Sequence, residues 1–217
     1  MSQDMLMLLV EALGETIYMV AVSSLVSALL GIPLGVILVI TGKGHIKENL
    51  VFNQVLGAIV NATRSTPFII LMVAIIPVTR MIAGTSIGTN AAVVPLTIAA
   101  IPFVGRVVES ALKEVDAGLV EAAQSMGASP GQIILKVLIP EAMPSIILGL
   151  TLTVISLIGY SAMAGAIGGG GLGDLAIRYG YQRFRADVML ATVVILIALV
   201  QMVQSGGDYM AHKLNKR

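Results

Sequence analysis

Residues 121–144 read EAAQSMGASPGQIILKVLIPEAMP, a stretch that looks like a turn between two short helices. From Asp116 onward, Leu119, Ala123 and Met126 recur on one helical face, with Glu121 and Gln124 elsewhere on the cylinder. Gly127 predicts a stop, because glycine takes the left-handed conformation that closes a helix. The next helix opens with Ser129 as N-cap, Pro130 at its first position and Gln132 three residues after the serine. That is a capping box, and such a cap contributes about 0.5–2 kcal/mol. Ile133, Ile134, Val137 and Leu138 supply an apolar face, and Pro140 is expected to end the helix before Pro144 resets the chain. A hairpin with two apolar faces and no core of its own has to dock onto something. It does not read DNA: between Gly118 and Pro144 only Lys136 is basic, and phosphate contacts need several Lys or Arg.

The flanking chain belongs in lipid. Of its 217 residues 57% are hydrophobic and 12% charged, against about 25% charged in an ordinary soluble domain. Thr16 to Gly42, Met81 to Gly105, Ala142 to Gly173 and Val188 to Gly207 are free of charge. Each reaches the ~20 residues that a helix needs to cross ~30 Å of hydrocarbon. Ser65 to Thr79 is a shorter fifth stretch between Arg64 and Arg80, preceded by the uncharged Asn49 to Thr63. An all-α membrane protein with five spans is predicted, as a single domain over residues 1–217 with a cytoplasmic loop at about 111–140.

Charge orients it. With the N-terminus outside, Lys43, Lys47, Arg64, Arg106, Lys113, Lys136, Lys213, Lys216 and Arg217 fall on the cytoplasmic side, nine of thirteen. Arg80, Arg178, Arg183 and Arg185 remain outside. Positive-inside therefore predicts N-outside and C-inside, with the hairpin in the cytoplasm between the third and fourth spans. The first twenty residues carry Asp4, Glu11 and Glu15 but no Lys or Arg, so a cleavable signal peptide is not expected.

Leu6, Leu9, Val10 and Leu13 predict a short amphipathic lead-in to the first span. Within that span Gly31 and Gly35 either let a neighbouring helix approach closely or merely flank a kink at Pro33. An arginine at the bilayer centre costs about 2.5–3.5 kcal/mol, so Arg64 is placed at the cytoplasmic edge as an anchor. The second span then crosses from about Pro67, a first-turn position that wastes no N–H, after a tilted or interfacial Asn49 to Thr63.

Glu121, Ala122 and Ala123, then three residues, Gly127, nine residues, and Val137-Leu138-Ile139-Pro140 resemble the cytoplasmic EAA loop of binding-protein-dependent ABC importer permeases. Val137 and Ile139 stand where that family has Ile and Leu. The resemblance implies that the loop enters a groove on an ATPase subunit, with Ala122 and Ala123 keeping it thin, Glu121 in polar contact and Gly127 shaping the turn. RSTPFIIL, IPVTRMIAGTSIG, AAVVPLTIAAIPFVGRVVESAL and GYSAMAGAIGGGGLGDLAIRYGY extend it over essentially the whole chain, to the methionine-uptake branch of that family. The fold implied is a type I importer permease, multi-pass in a bacterial inner membrane and used as a homodimer with its pathway at the subunit interface. A cytoplasmic ATPase dimer, holding ATP and Mg, and an external methionine-binding protein are the implied partners. No cofactor is expected in this chain. Tyr160, Ser161 and Met163 are expected to face the pathway; Met163 is either a flexible gate or ordinary packing.

Other chemistry is weakly signalled. His45 and His212 lie far apart with no Cys or HExxH, so no metal-ligand set is visible. Gly168, Gly170 and Gly173 formally satisfy GxGxxG, but after a membrane span they predict an outer turn or re-entrant segment. No Walker A lysine motif occurs, so ATP hydrolysis is assigned to another subunit and the chain is not itself an enzyme. Arg106 and Glu109 read as a paired anchor at the end of span three. The expected function is ATP-driven methionine import. A permease for another small or polar amino acid is the alternative, and an ion-driven carrier or channel is disfavoured because the well-buried parts of the spans show no Asp or Glu.

Overall fold

The computed structural model describes residues 3–214. Lys216 and Arg217, counted on the cytoplasmic side, lie outside the described residues. Among the described residues every regular element is a helix. By length and apolar composition four helices are able to cross a membrane, or five if one sharply bent pair counts as a span.

Helix α1, Gln3–Ile40, absorbs the expected lead-in into one 38-residue helix that continues through Pro33. Helix α2, Leu50–Ser65, is capped by the Asn49 side chain, which accepts from Phe52 N–H. The single crossing helix expected from Pro67 is not found. The chain turns by 103° into α3, Phe68–Ala74, and Pro67 sits outside that helix as its N-cap (φ −56°, ψ 135°). Its ring favours an extended Thr66 (φ −83°, ψ 124°), which ends α2 there. A second break at Ile75 precedes α4, Ile76–Ala83, where Pro77 lacks the N–H to continue the ladder.

Helix α5, Thr89–Lys113, starts later than the uncharged stretch because Gly84 (φ 73°) closes α4 and Gly88 (φ 96°) redirects the chain. It runs past Gly105 because the charges there compensate one another: Glu109 lies 2.6 Å from Arg106 Nη1 and 2.7 Å from Lys113 Nζ. Helices α6, Ala117–Ser125, and α7, Pro130–Ile133, form the hairpin. Pro140 does not end its helix. A single π-turn, Ile134–Leu138, leads into α8, Ile139–Gly165, with Pro140 in its first turn and Pro144 in its interior. In that turn Ile139 N–H bonds back to Ile134 O, and the widened ladder accommodates the proline that follows. Helix α9, Gly171–Leu175, a π-segment Ala176–Tyr181, and α10, Ala186–Leu214, complete the chain.

Helix α5 is the centre of the bundle. A Cβ on Gly31 would stand 2.6 Å from Val104 Cβ, and one on Gly35 2.6 Å from the Gly105 carbonyl oxygen, so the two glycines serve close approach of α1 to α5. Val104, Val108 and Leu112 of α5 are buried with Ile133 and Leu138 of the hairpin, while Leu96 joins Met19, Phe68 and Leu157 at the other end. The glycine-rich segment after α8 folds back into the protein. Glu15 Oε2 accepts from Gly171 N–H at 2.6 Å and Thr16 Oγ1 from Leu172 N–H at 2.9 Å, while Leu172 and Leu175 are buried with Leu9 and Val188.

Gly35→Leu is expected to lower stability by about 1–3 kcal/mol through overpacking, whereas Gly14→Leu, with nothing within 4 Å of its Cβ position, should change it far less. Thermal unfolding of the two variants in detergent checks this; equal midpoints would remove the requirement for small residues at the crossing.

Candidate functional site: the cytoplasmic-type hairpin

The hairpin is built by local hydrogen bonds, one at each place where a helix end would otherwise leave orphaned groups. Asp116 caps α6 by accepting from Gly118 N–H at 2.7 Å. At the other end Gly127 adopts φ +77°. Its N–H donates to Gln124 O at 2.9 Å and Ala128 N–H donates to Ala123 O at 3.0 Å, which together form a Schellman closure. The predicted capping box is present: Gln132 N–H donates to Ser129 Oγ at 3.4 Å and Ser129 N–H to Gln132 Oε1 at 2.8 Å.

This geometry divides the surface of the hairpin in two. Ala123, Ile133 and Leu138 are buried against Val108, Leu112 and Ala142, with Val120, Ile134, Val137 and Ile139 packed around them. Val137 and Ile139, the two departures from the family pattern, therefore touch this chain's own core. Glu121, Ala122 and Gly127 are exposed, as is Pro140. Of the face predicted from Leu119, Ala123 and Met126 only Ala123 is covered; Met126 is 82% exposed, and Leu135 on the same outer side 68%.

Beneath the hairpin lies a polar knot. Glu109, 6% exposed, takes Arg106 and Lys113, and Arg106 Nη2 also donates to Gly57 O at 3.0 Å and Asn61 Oδ1 at 2.9 Å. The Arg106–Glu109 pairing is as the sequence predicts, and Lys113 completes an i,i+4 partner already readable from spacing. The tie to α2 had no sequence signal. Arg64, exposed on α2, lies over the Phe103 ring at 5.7 Å.

The three pathway candidates are placed differently from one another. Tyr160 is half-buried and stacks on Phe68 of α3, with ring centroids 4.6 Å apart and planes 8° from parallel. Ser161 is buried and donates to Ile158 O at 2.7 Å within its own helix. Met163 is exposed on the surface of α8.

A bundle of membrane-length helices that anchors one face of an ordered hairpin and leaves the other face bare has the form of a membrane subunit held by a soluble partner. Residues 31–216 match the family described as binding-protein-dependent transport system inner membrane component, and the chain belongs to that family. It is 60% identical over 210 residues, 97% of this chain and 93% of the relative, to a probable D-methionine transport system permease protein of Vibrio cholerae. It is 48% identical over 181 residues, 83% of this chain and 82% of the relative, to the methionine import system permease protein of Bacillus subtilis. Among solved structures, a chain of the inward-facing MetNI methionine ABC transporter superposes with TM-score 0.98 at 48% identity, with all of both chains covered. An amino acid ABC transporter chain at 20% identity and TM-score 0.77, covering 98% of this chain and 100% of that one, shares the fold.

Ser129→Ala removes one half of the capping box. Amides 131–138 should then exchange with solvent roughly 2- to 30-fold faster, the equivalent of about 0.5–2 kcal/mol. Hydrogen exchange read by mass spectrometry checks it, and unchanged protection would mean that packing alone holds α7.

Proposed function

We propose that this chain is the membrane-spanning permease subunit of an ATP-driven methionine importer. It works as a homodimer with a cytoplasmic pair of ABC ATPase subunits and an external methionine-binding protein, in a bacterial inner membrane. The observation that carries this is the hairpin at 121–140, doubly capped, anchored by its inner face and bare on its outer one. The relatives' transport of methionine supports the substrate. ATP and Mg bind the partner, which hydrolyses the nucleotide; this chain performs no covalent chemistry.

The N-terminus lies outside and the C-terminus inside, with α1, α5, α8 and α10 as full spans and α2 with α3 as a fifth, broken one. The whole chain is one permease domain. Glu121, Ala122 and the bare turn at Gly127 meet the ATPase groove, Ala123 sits behind them, and Val137, Ile139 and Pro140 fix the hairpin to α8. ATP binds the closed ATPase dimer better than the open one, and the hairpins tie that preference to the outward-open permease. Tyr160 and Met163 of both copies line the pathway, and buried Ser161 supports them from within its helix.

ATP-dependent uptake of labelled methionine by the reconstituted transporter is expected, competed by methionine and not by polar amino acids; equal competition by polar amino acids would shift the substrate assignment. Gly127→Leu, strained in the left-handed region, should abolish uptake, while Gly127→Asn should retain most of it. Wild-type uptake in the leucine variant would falsify the coupling role. Met163→Ala should alter uptake or basal ATPase activity, and wild-type values for both would remove the gate.

A further inference from the structure

Helices α1 and α10 begin at the same end of the molecule, and between their first turns runs an open groove of about 440 Å³. Leu6, Val10, Leu13, Leu190 and Val194 are among its walls, and every residue lining it is apolar. Leu6, Val10, Leu190 and Val194 are also exposed, so the groove opens outward from the bundle, along two helices of membrane-spanning length. Its floor is continuous with the buried cluster of Leu9, Leu172 and Val188, against which Tyr179 packs.

Of the three arginines near the start of α10, one has no carboxylate partner among the described residues. Arg178 pairs with Asp174, and Arg185 pairs with Asp187 through two hydrogen bonds of 2.9 and 2.7 Å. The Asp187 carboxylate holds the Arg185 guanidinium above its ordinary pKa. Arg183 lies over the Tyr179 ring at 4.4 Å and makes no ion pair among the described residues. Asp4, Glu11 and Glu15 make no ion pair with it: at 100° per residue they fall on the side of α1 away from Leu6, Val10 and Leu13, and Glu15 is taken up by Gly171 N–H at 2.6 Å and lies near Arg178. Tyr181 and Phe184 flank Arg183; Phe184 is 89% exposed and, at φ 55°, is held out by the backbone. Exposed aromatic residues at the end of a membrane helix mark the level of the headgroups.

We propose that this groove is a site for an anionic phospholipid, with one acyl chain lying between α1 and α10 and the phosphate meeting Arg183. A zwitterionic lipid fits the same walls but cancels its own phosphate charge, so the unpaired arginine selects for net negative headgroups. The site is independent of the transported solute.

The chain has no tryptophan, so a single introduced Trp reports its own surroundings. Met7→Trp, beside the groove, and Ile197→Trp, farther along α10, are compared in the full chain reconstituted in phosphatidylcholine vesicles containing a minor fraction of brominated phosphatidylglycerol. The groove reporter should show about a fivefold preference for the brominated lipid, the bias expected of one arginine at a membrane surface, while the reference reporter follows the bulk composition. Arg183→Gln should abolish the preference, Arg183→Lys should keep most of it, and Ala191→Phe should abolish it by filling the groove. Equal quenching of both reporters, a preference that survives Arg183→Gln, or a groove reporter that no lipid quenches because protein covers it would each overturn the proposal.

Discussion

One buried carboxylate organises the end of the molecule that carries the hairpin. Glu109 lies almost out of solvent where the apolar part of α5 stops, and an uncompensated charge there would cost several kcal/mol. Arg106 and Lys113, one turn to either side, balance it, and Arg106 Nη2 donates to Gly57 O and Asn61 Oδ1 of α2. This keeps α5 helical to Lys113, and the final turns it preserves contain Val108, Ala111 and Leu112, the floor on which the hairpin rests.

The same helix meets its neighbours by different means along its length. Toward α1 it relies on absent side chains, at Gly31 and Gly35; toward α2 it relies on hydrogen bonds; toward the hairpin it relies on interlocked branched residues. In hydrocarbon there is little hydrophobic gain in bringing two apolar helices together, so close backbone approach and hydrogen bonding have to supply the association. The hairpin rests instead on ordinary apolar burial of Ala123, Ile133 and Leu138.

What the sequence made legible follows from the range of the interactions. The hairpin was readable almost residue by residue, because its caps join groups no more than five positions apart: Ser129 with Gln132, Ala128 with Ala123. The spans were readable as long uncharged runs, but their ends were not. Arg106, Glu109 and Lys113 look like a stop until they are seen to neutralise one another, and Pro140 looks like a terminus until the ladder widens before it. Glu15 on Gly171 and Tyr160 on Phe68 left no trace in any local pattern, since tertiary packing alone decides them. Of the pathway candidates, Ser161 shows the limit plainly: a small polar residue between Tyr160 and Met163 looks accessible in sequence, yet helical geometry turns it inward.

The unbroken course of the chain through Pro140 has a mechanical meaning. From Pro130 to Gly165 there is one helical rod, about 54 Å long at 1.5 Å per residue. Roughly a quarter of it, residues 130–138, is made up of the hairpin arm and the widened turn, and the rest runs the depth of the bundle. If the rod pivots at that turn, a displacement of about 1 Å at the hairpin swings the far end by about 3 Å in the opposite direction. The short arm lies in the hairpin and the long arm carries Tyr160 and Met163, so a small movement at the hairpin end would be amplified along the rod.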